Sequence, residues 1–204
     1  MRISILINQK DRHSELGMLL QSLRTQTYTG GFDIFIRDES QTPVFNNSFL
    51  PPLFNRLKLE GHGVFVEHAL PSFGVCHARN ALIEKEREWE GTNPLLLRLD
   101  DDCVLEPDYV EKLVNVINAG YDAATGVVPL LAMPEVKRET RFVKPIICRH
   151  EFDAEGNITA RNDDLGFAYI EEEIIPCAQF RTNCLYKREV FQDFKYPVHL
   201  SMVG

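Results

Sequence analysis

Pro94-Leu95-Leu96-Leu97-Arg98-Leu99 followed at once by Asp100-Asp101-Asp102 is the stretch on which the reading of this chain turns. The apolar run is short, continuous and bounded by turn residues, which predicts a buried strand. Side chains at the carboxyl end of such a strand in an α/β sheet face the crevice where ligands bind. Three adjacent carboxylates repel one another and raise each other's pKa, so the cluster favours a cation. Oxygen ligands at this density suit Mg²⁺ or Mn²⁺, which keep waters and share their sites with substrate phosphates. A charge run by itself reads as a solvated turn. What sets this one apart is its place, between a buried strand and a helix that the sequence starts near Pro107.

An EF-hand does not account for the triplet. Asp100, Asp102 and Glu111 fall at loop positions 1, 3 and 12, but Val104 and Leu105 occupy positions 5 and 6, where a ligand and a turn glycine are required.

Outward from the triplet, strand and helix signals alternate. Residues 2–7 predict a first strand. Leu16, Leu19, Leu20 and Leu23 follow at helical spacing, with Ser14 as the expected N-cap. A second strand is expected over Phe32–Ile36, running into Arg37-Asp38-Glu39-Ser40, and then a loop over 41–52. A third strand is expected near Val64–Val66, and a helix from about Val75 to Trp89 after the Gly74 turn. Val110, Leu113, Val114 and Ile117 mark one face of the helix that opens with Pro107 in its first turn. A strand over Ala123–Val128, an irregular segment with a hairpin around Asp153–Asn157, a run from Ile174 to Phe180 and a short helix near 187–194 complete the pattern. The alternation predicts an α/β fold with a largely parallel central sheet flanked by helices.

The chain has 204 residues, enough for one well-buried core, and is expected to form a single domain. Its net charge of −8 argues against nucleic acid as a partner. No stretch approaches the ~20 apolar residues that cross a bilayer. The five cysteines lack C-x-x-C spacing, which points to a reducing compartment. Cys148 and His150 stand two apart, but no further close partner completes a metal site.

Two strands thus end in carboxylates, Asp38-Glu39 and Asp100-Asp101-Asp102, and a parallel sheet brings such ends to one edge. Arg79, in Ala78-Arg79-Asn80 early in the helix after Gly74, suits a phosphate, since guanidinium and helix N-termini both favour anions.

In this order the motifs resemble those of family 2 glycosyltransferases of the GT-A fold. The resemblance rests on Ile3–Arg12, Leu23–Tyr28, Arg37–Ser40, Gly74–Asn80 and Leu99–Asp102 with Pro107-Asp108, and more loosely on Phe180–Phe191. It implies an inverting, metal-dependent transfer of a sugar from a nucleoside-diphosphate donor, with UDP the expected nucleotide, to a carbohydrate or lipid-linked acceptor. Asp38 would accept a hydrogen bond from the base, Arg79 would lie near the diphosphate, and Asp100 and Asp101 near the ribose and sugar. Asp102 would hold Mn²⁺ or Mg²⁺. Residues 1–102 would form the nucleotide-sugar-binding half and 103–204 the acceptor-side half of one GT-A domain. The expected location is the cytoplasm, including the cytoplasmic face of a membrane.

The chain departs from the family pattern in three places, one of them the second-strand motif Asp38-Glu39-Ser40, a residue shorter than the common Asp-Asp-Gly-Ser form. Asn8-Gln9-Lys10 stands where the family often has proline and an aromatic, which removes a stacking partner for the base. The family's general base follows the segment that resembles residues 180–194, so it is expected beyond Gly204, and Glu189 and Asp193 read as solvated acids. The alternatives are a nucleotide-sugar-binding module without turnover and a sugar nucleotidyltransferase. The second needs a glycine-rich basic loop after the first strand, and Asn8–Arg12 has no glycine.

Overall fold

The computed structural model describes residues 1–89, 93–126, 148–152, 158–163, 183–191 and 195–196. They fall into two compact units, one comprising Met1–Ala124 with Thr182–Gly204 and the other Thr125–Arg181.

The first unit is built on a sheet whose first strands are β1 (Ile3–Gln9), β2 (Phe32–Asp38), β3 (Gly63–His68) and β4 (Leu95–Asp100). With β5 (Ala123–Thr125) and β8 (Cys184–Lys187), the strand order is β3-β2-β1-β4-β8-β5. β1 pairs in parallel with both β2 and β4, and β2 with β3, whereas β4 and β8 run antiparallel. The mostly parallel sheet expected from the sequence is the one observed.

Residue alternation along the strands assigns the two faces. Ile3, Ile5, Ile7, Leu95, Leu97 and Leu99 share one core with Leu16, Leu19, Leu20 and Leu23 of α1 (His13–Arg24). Val110, Leu113, Val114 and Ile117 of α4 (Tyr109–Asn118) join it, as the helical spacing predicted. Leu6, Phe35 and Leu96 form a second core with Leu82 and Ile83 of α3 (Val75–Glu88) and with Phe191. The central strands are therefore covered on both faces, and β4 opens with the continuous apolar run Leu95-Leu96-Leu97.

Three details differ from expectation. Ser14 is not the N-cap of α1: Arg12 stands there, and the Ser14 hydroxyl bonds Glu15 within the first turn. The region taken as a loop over 41–52 holds a 3₁₀ turn (Val44–Asn46) and the start of α2 (Leu50–Leu59). Pro51 and Pro52 looked like breakers but lie in the first turn, where no amide partner is lost. Asn47 Oδ1 accepts the amides of Phe49 and Leu50 just ahead of them. Pro107 precedes α4, whose N-cap is Asp108.

The C-terminal end of the predicted strand over Ala123–Val128, at 127–128, lies outside the described residues, as does the run from Ile174 to Phe180. Of the short helix expected near 187–194, Lys187 ends β8 and Arg188–Phe191 form a 3₁₀ turn, while 192–194 lie outside the described residues. In the second unit β6 (Cys148–Phe152) and β7 (Ile158–Asp163) pair antiparallel around residues 153–157, where a hairpin was expected.

Candidate functional site

The sheet order reverses between β1 and β4. β1 is followed by β2 on one side, and the chain then crosses to place β4 on the other. Ligands of open α/β sheets bind outside the carboxyl ends of the strands at such a switch point. Register brings Asn8 beside Asp100 there, and Gln9 beside Asp38 one strand over. A cavity of about 380 Å³ opens at this place, with Asn8, Lys10, Arg12, Arg79 and Asp100 to Asp102 in its wall.

The acidic triplet arrives with cationic partners. Arg12 Nη1 lies 2.5 Å from Asp102 Oδ2 and 3.3 Å from Asp101 Oδ1. Arg79 Nη2 lies 3.5 Å from Asp100 Oδ1. Asp101 is the most enclosed of the three, its side chain 10% exposed against 48% for Asp102. Burial pushes its carboxyl up to about 6; the Arg12 charge opposes the rise and the Asp102 charge adds to it. The two carboxylates in turn raise the pKa of Arg12.

Gly74, at φ +92°, turns the chain into α3, an angle that suits a residue without Cβ. That turn sets Val75 and Arg79 against the cavity. The Arg79 guanidinium stands 5.5 Å over the ring of Tyr196, and Tyr196 is clamped to α3 by two bonds with Asn80 (2.7 and 2.9 Å).

Asp38 sits apart from this wall. It is fully buried, and its oxygens are taken up within the chain. Oδ1 accepts from Gln9 Nε2 (2.7 Å) and the Ser40 amide (3.1 Å), and Oδ2 from the Val44 amide (2.8 Å). Glu39 is likewise buried, between Arg37 Nε (2.9 Å) and the Ser72 hydroxyl (2.6 Å). The structure thus gathers Arg79 and Asp100 to Asp102 around one cavity and places Asp38 beneath the neighbouring loop.

Five further residues take part that the sequence reading gave no role. Gln9 links the strands: its amide nitrogen bonds Asp38 and Ser40 Oγ while its carbonyl accepts the Arg12 amide (3.1 Å). Arg12 lies in the turn just past the first strand, where Lys10 also stands, and no spacing set it apart. Asn183, at φ 57°, accepts the Asp100 amide through Oδ1 (2.9 Å) and donates to Cys103 Sγ, pinning the triplet from both sides. Burial pushes the Cys103 thiol up to about 11, so it is a neutral member of this support. Tyr196 completes the set, bonding Arg98 Nη1 through its hydroxyl (3.0 Å). Asn183 lies 83 residues downstream of Asp100, and Tyr196 further still, so local pattern could not reveal them.

Among the described residues no group of three or more His, Cys, Asp or Glu side chains is arranged to hold a metal by itself. A hard cation that takes one or two carboxylates and completes its shell with phosphates and water needs no such group. Asp101 and Asp102, already drawn to one cationic group, fit that mode.

Over residues 4–194 the chain matches the family model for Glycosyl transferase family 2. No curated protein sequence matches it. Among solved structures it is similar to TarS of S. aureus: 13% identity and a TM-score of 0.62 for TarS 1-349 in complex with UDP, covering 100% of this chain and 52% of that one. For the longer TarS chain the values are 12% and 0.60, covering 98% of this chain and 31% of that one. The chain thus spans about half or less of the TarS chains it resembles, and at this identity the likeness shows a common fold, that of GT-A glycosyltransferases. With a match over 4–194 and this fold, the chain belongs to glycosyl transferase family 2.

Proposed function

We propose that the chain carries the donor site of a metal-dependent, inverting glycosyltransferase that takes a sugar from a nucleoside diphosphate, UDP foremost, to an acceptor hydroxyl. The observation that carries this reading is the convergence of Asp100, Asp101, Asp102, Arg12 and Arg79 on one cavity at the sheet's switch point. That TarS, with the same fold, is described in complex with UDP supports the choice of nucleotide.

In this reading Asp102, with Asp101 beside it, holds Mn²⁺ or Mg²⁺. The cation, when bound, offsets the charge of the diphosphate leaving group. Arg79 faces the diphosphate from the first turns of α3, where guanidinium and helix N-terminus act in the same sense. Asp100 accepts from ribose or sugar hydroxyls, its backbone fixed by Asn183. Asp38 serves base recognition by shaping the 40–44 loop, since its own oxygens are bonded there. Residues 1–102 supply the donor half and 103–204 the acceptor side. The acceptor-activating role is assigned to none of the described carboxylates; Glu189, one of the two later acids, is exposed on a short 3₁₀ turn, and Asp193 lies outside the described residues.

Calorimetric titration of UDP, GDP and ADP with and without Mn²⁺ tests the proposal. Mn²⁺ should strengthen UDP binding, and Asp102→Ala should remove the Mn²⁺-dependent part. Absence of binding by any of the three nucleotides, or binding indifferent to both Mn²⁺ and Asp102, would refute it.

A further inference from the structure

Arg12 converges on the donor cavity but has been given no contact with the donor, and its position is unusual. It is the N-cap residue of α1, and its amide is held by Gln9 Oε1. Its side chain nonetheless crosses from the β1 edge to the end of β4 and bonds two of the three acidic residues there. Its guanidinium therefore supplies the positive charge that Asp101 and Asp102 require when nothing else does. A divalent cation on these carboxylates and this guanidinium repel each other at such short range, so each weakens the other's hold on the pair.

We infer that Arg12 is a built-in counter-ion of the metal site: it holds the carboxylates in the ligand-free protein, competes with the divalent cation for them, and turns to the donor diphosphate when cation and nucleotide arrive together. The inference rests on the donor-site reading above. Its consequence is a coupling between the two ligands. Metal alone must displace Arg12 into solvent, whereas metal with a diphosphate leaves Arg12 a new anionic partner within the same cavity. The nucleotide therefore raises the affinity for metal, and the metal raises that for nucleotide by the same factor. The backbone of Arg12 stays put during the exchange, because Gln9 anchors it to Asp38 and Ser40. Only a long, half-exposed side chain has to move.

The test is binding of Mn²⁺ in the absence of nucleotide, read by the electron paramagnetic resonance signal of the free ion, in the unaltered protein and in Arg12→Gln. The substitution keeps a polar, though shorter, side chain and removes the charge. Arg12→Gln should bind Mn²⁺ alone about two- to five-fold more tightly, a range set by the half-exposed character of the pair. The enhancement of Mn²⁺ affinity by UDP should shrink by a similar factor. Arg12→Lys, which restores a cation, should return both values toward those of the unaltered protein. Equal Mn²⁺ affinity in the unaltered and Arg12→Gln proteins, with Asp102→Ala still abolishing it, would overturn this inference and leave the donor-site reading standing. Absence of Mn²⁺ uptake by all forms, with and without UDP, would overturn both.

Discussion

Asp38→Ala separates a carboxylate that supports a loop from one that touches a ligand. In the folded protein this side chain accepts three hydrogen bonds in a place sealed from solvent. Removing it leaves the Ser40 and Val44 amides without those partners, and Gln9 Nε2 with Ser40 Oγ alone. Each buried donor left unpaired costs about 1–3 kcal/mol. The total expected for Asp38→Ala is therefore about 3–5 kcal/mol, a large share of the ~5–15 kcal/mol that holds a typical domain. For a chain of this size that corresponds to a melting temperature lower by about 6–20 °C. Asp38→Asn keeps one carbonyl acceptor but turns an NH₂ toward the remaining donor, so its loss should be intermediate. The assay is differential scanning calorimetry of the three proteins, with UDP titrated below the lowest transition. A melting temperature for Asp38→Ala within about 2 °C of the unaltered protein, together with lost UDP binding, would refute the argument. It would mean that the carboxylate faces the base and that the loop stands without it.

Three further outcomes follow from other parts of the molecule. Asp102→Ala should lower the melting temperature of the ligand-free protein by no more than about 2–4 °C, because its pair with Arg12 is half exposed and worth at most ~1 kcal/mol; a larger drop would show the triplet to be structural. Gly74→Ala should cost about 1–3 kcal/mol in urea denaturation, since a Cβ is disfavoured at φ +92°, ψ 167°. It should also weaken UDP binding by disturbing the turn that aims Arg79, and an unchanged urea midpoint would remove the argument from strain. Glu60, bonded by Arg24 and Arg56, has its carboxyl held down from 4.5 to about 2. A lowered folded-state pKa stabilises above the unfolded value and is lost on acidification. The stability difference between the unaltered protein and Glu60→Gln should therefore be constant above pH 4.5 and vanish as pH falls toward about 2; a difference that grows in acid would contradict it.

The sequence by itself determined the sheet and which of its edges carries the carboxylates. Leu95-Leu96-Leu97, and Leu6 between Ile5 and Ile7, declare strands buried on both faces, because apolar residues at successive positions point to opposite sides of the sheet. Asp100 to Asp102 declare the end of one of them, since three carboxylates cannot continue into a core. Leu50, Leu53, Phe54 and Leu57 carried an equally clear helical spacing, yet Pro51 and Pro52 hid it, because proline stops a helix in its interior and not in its first turn. What only the tertiary structure decided is the electrostatic pairing at the site. Arg12 reaches Asp101 and Asp102 across 89 and 90 residues, and Asn183 reaches Asp100 across 83. A side chain's local pattern reports its periodicity and burial, whereas its charge partner is fixed by strand order. Asp38 makes the same point from the other side. As a carboxylate after a strand it was indistinguishable from Asp102 in sequence, and it took the fold of the 40–44 loop over it to bury one and leave the other open to the cavity.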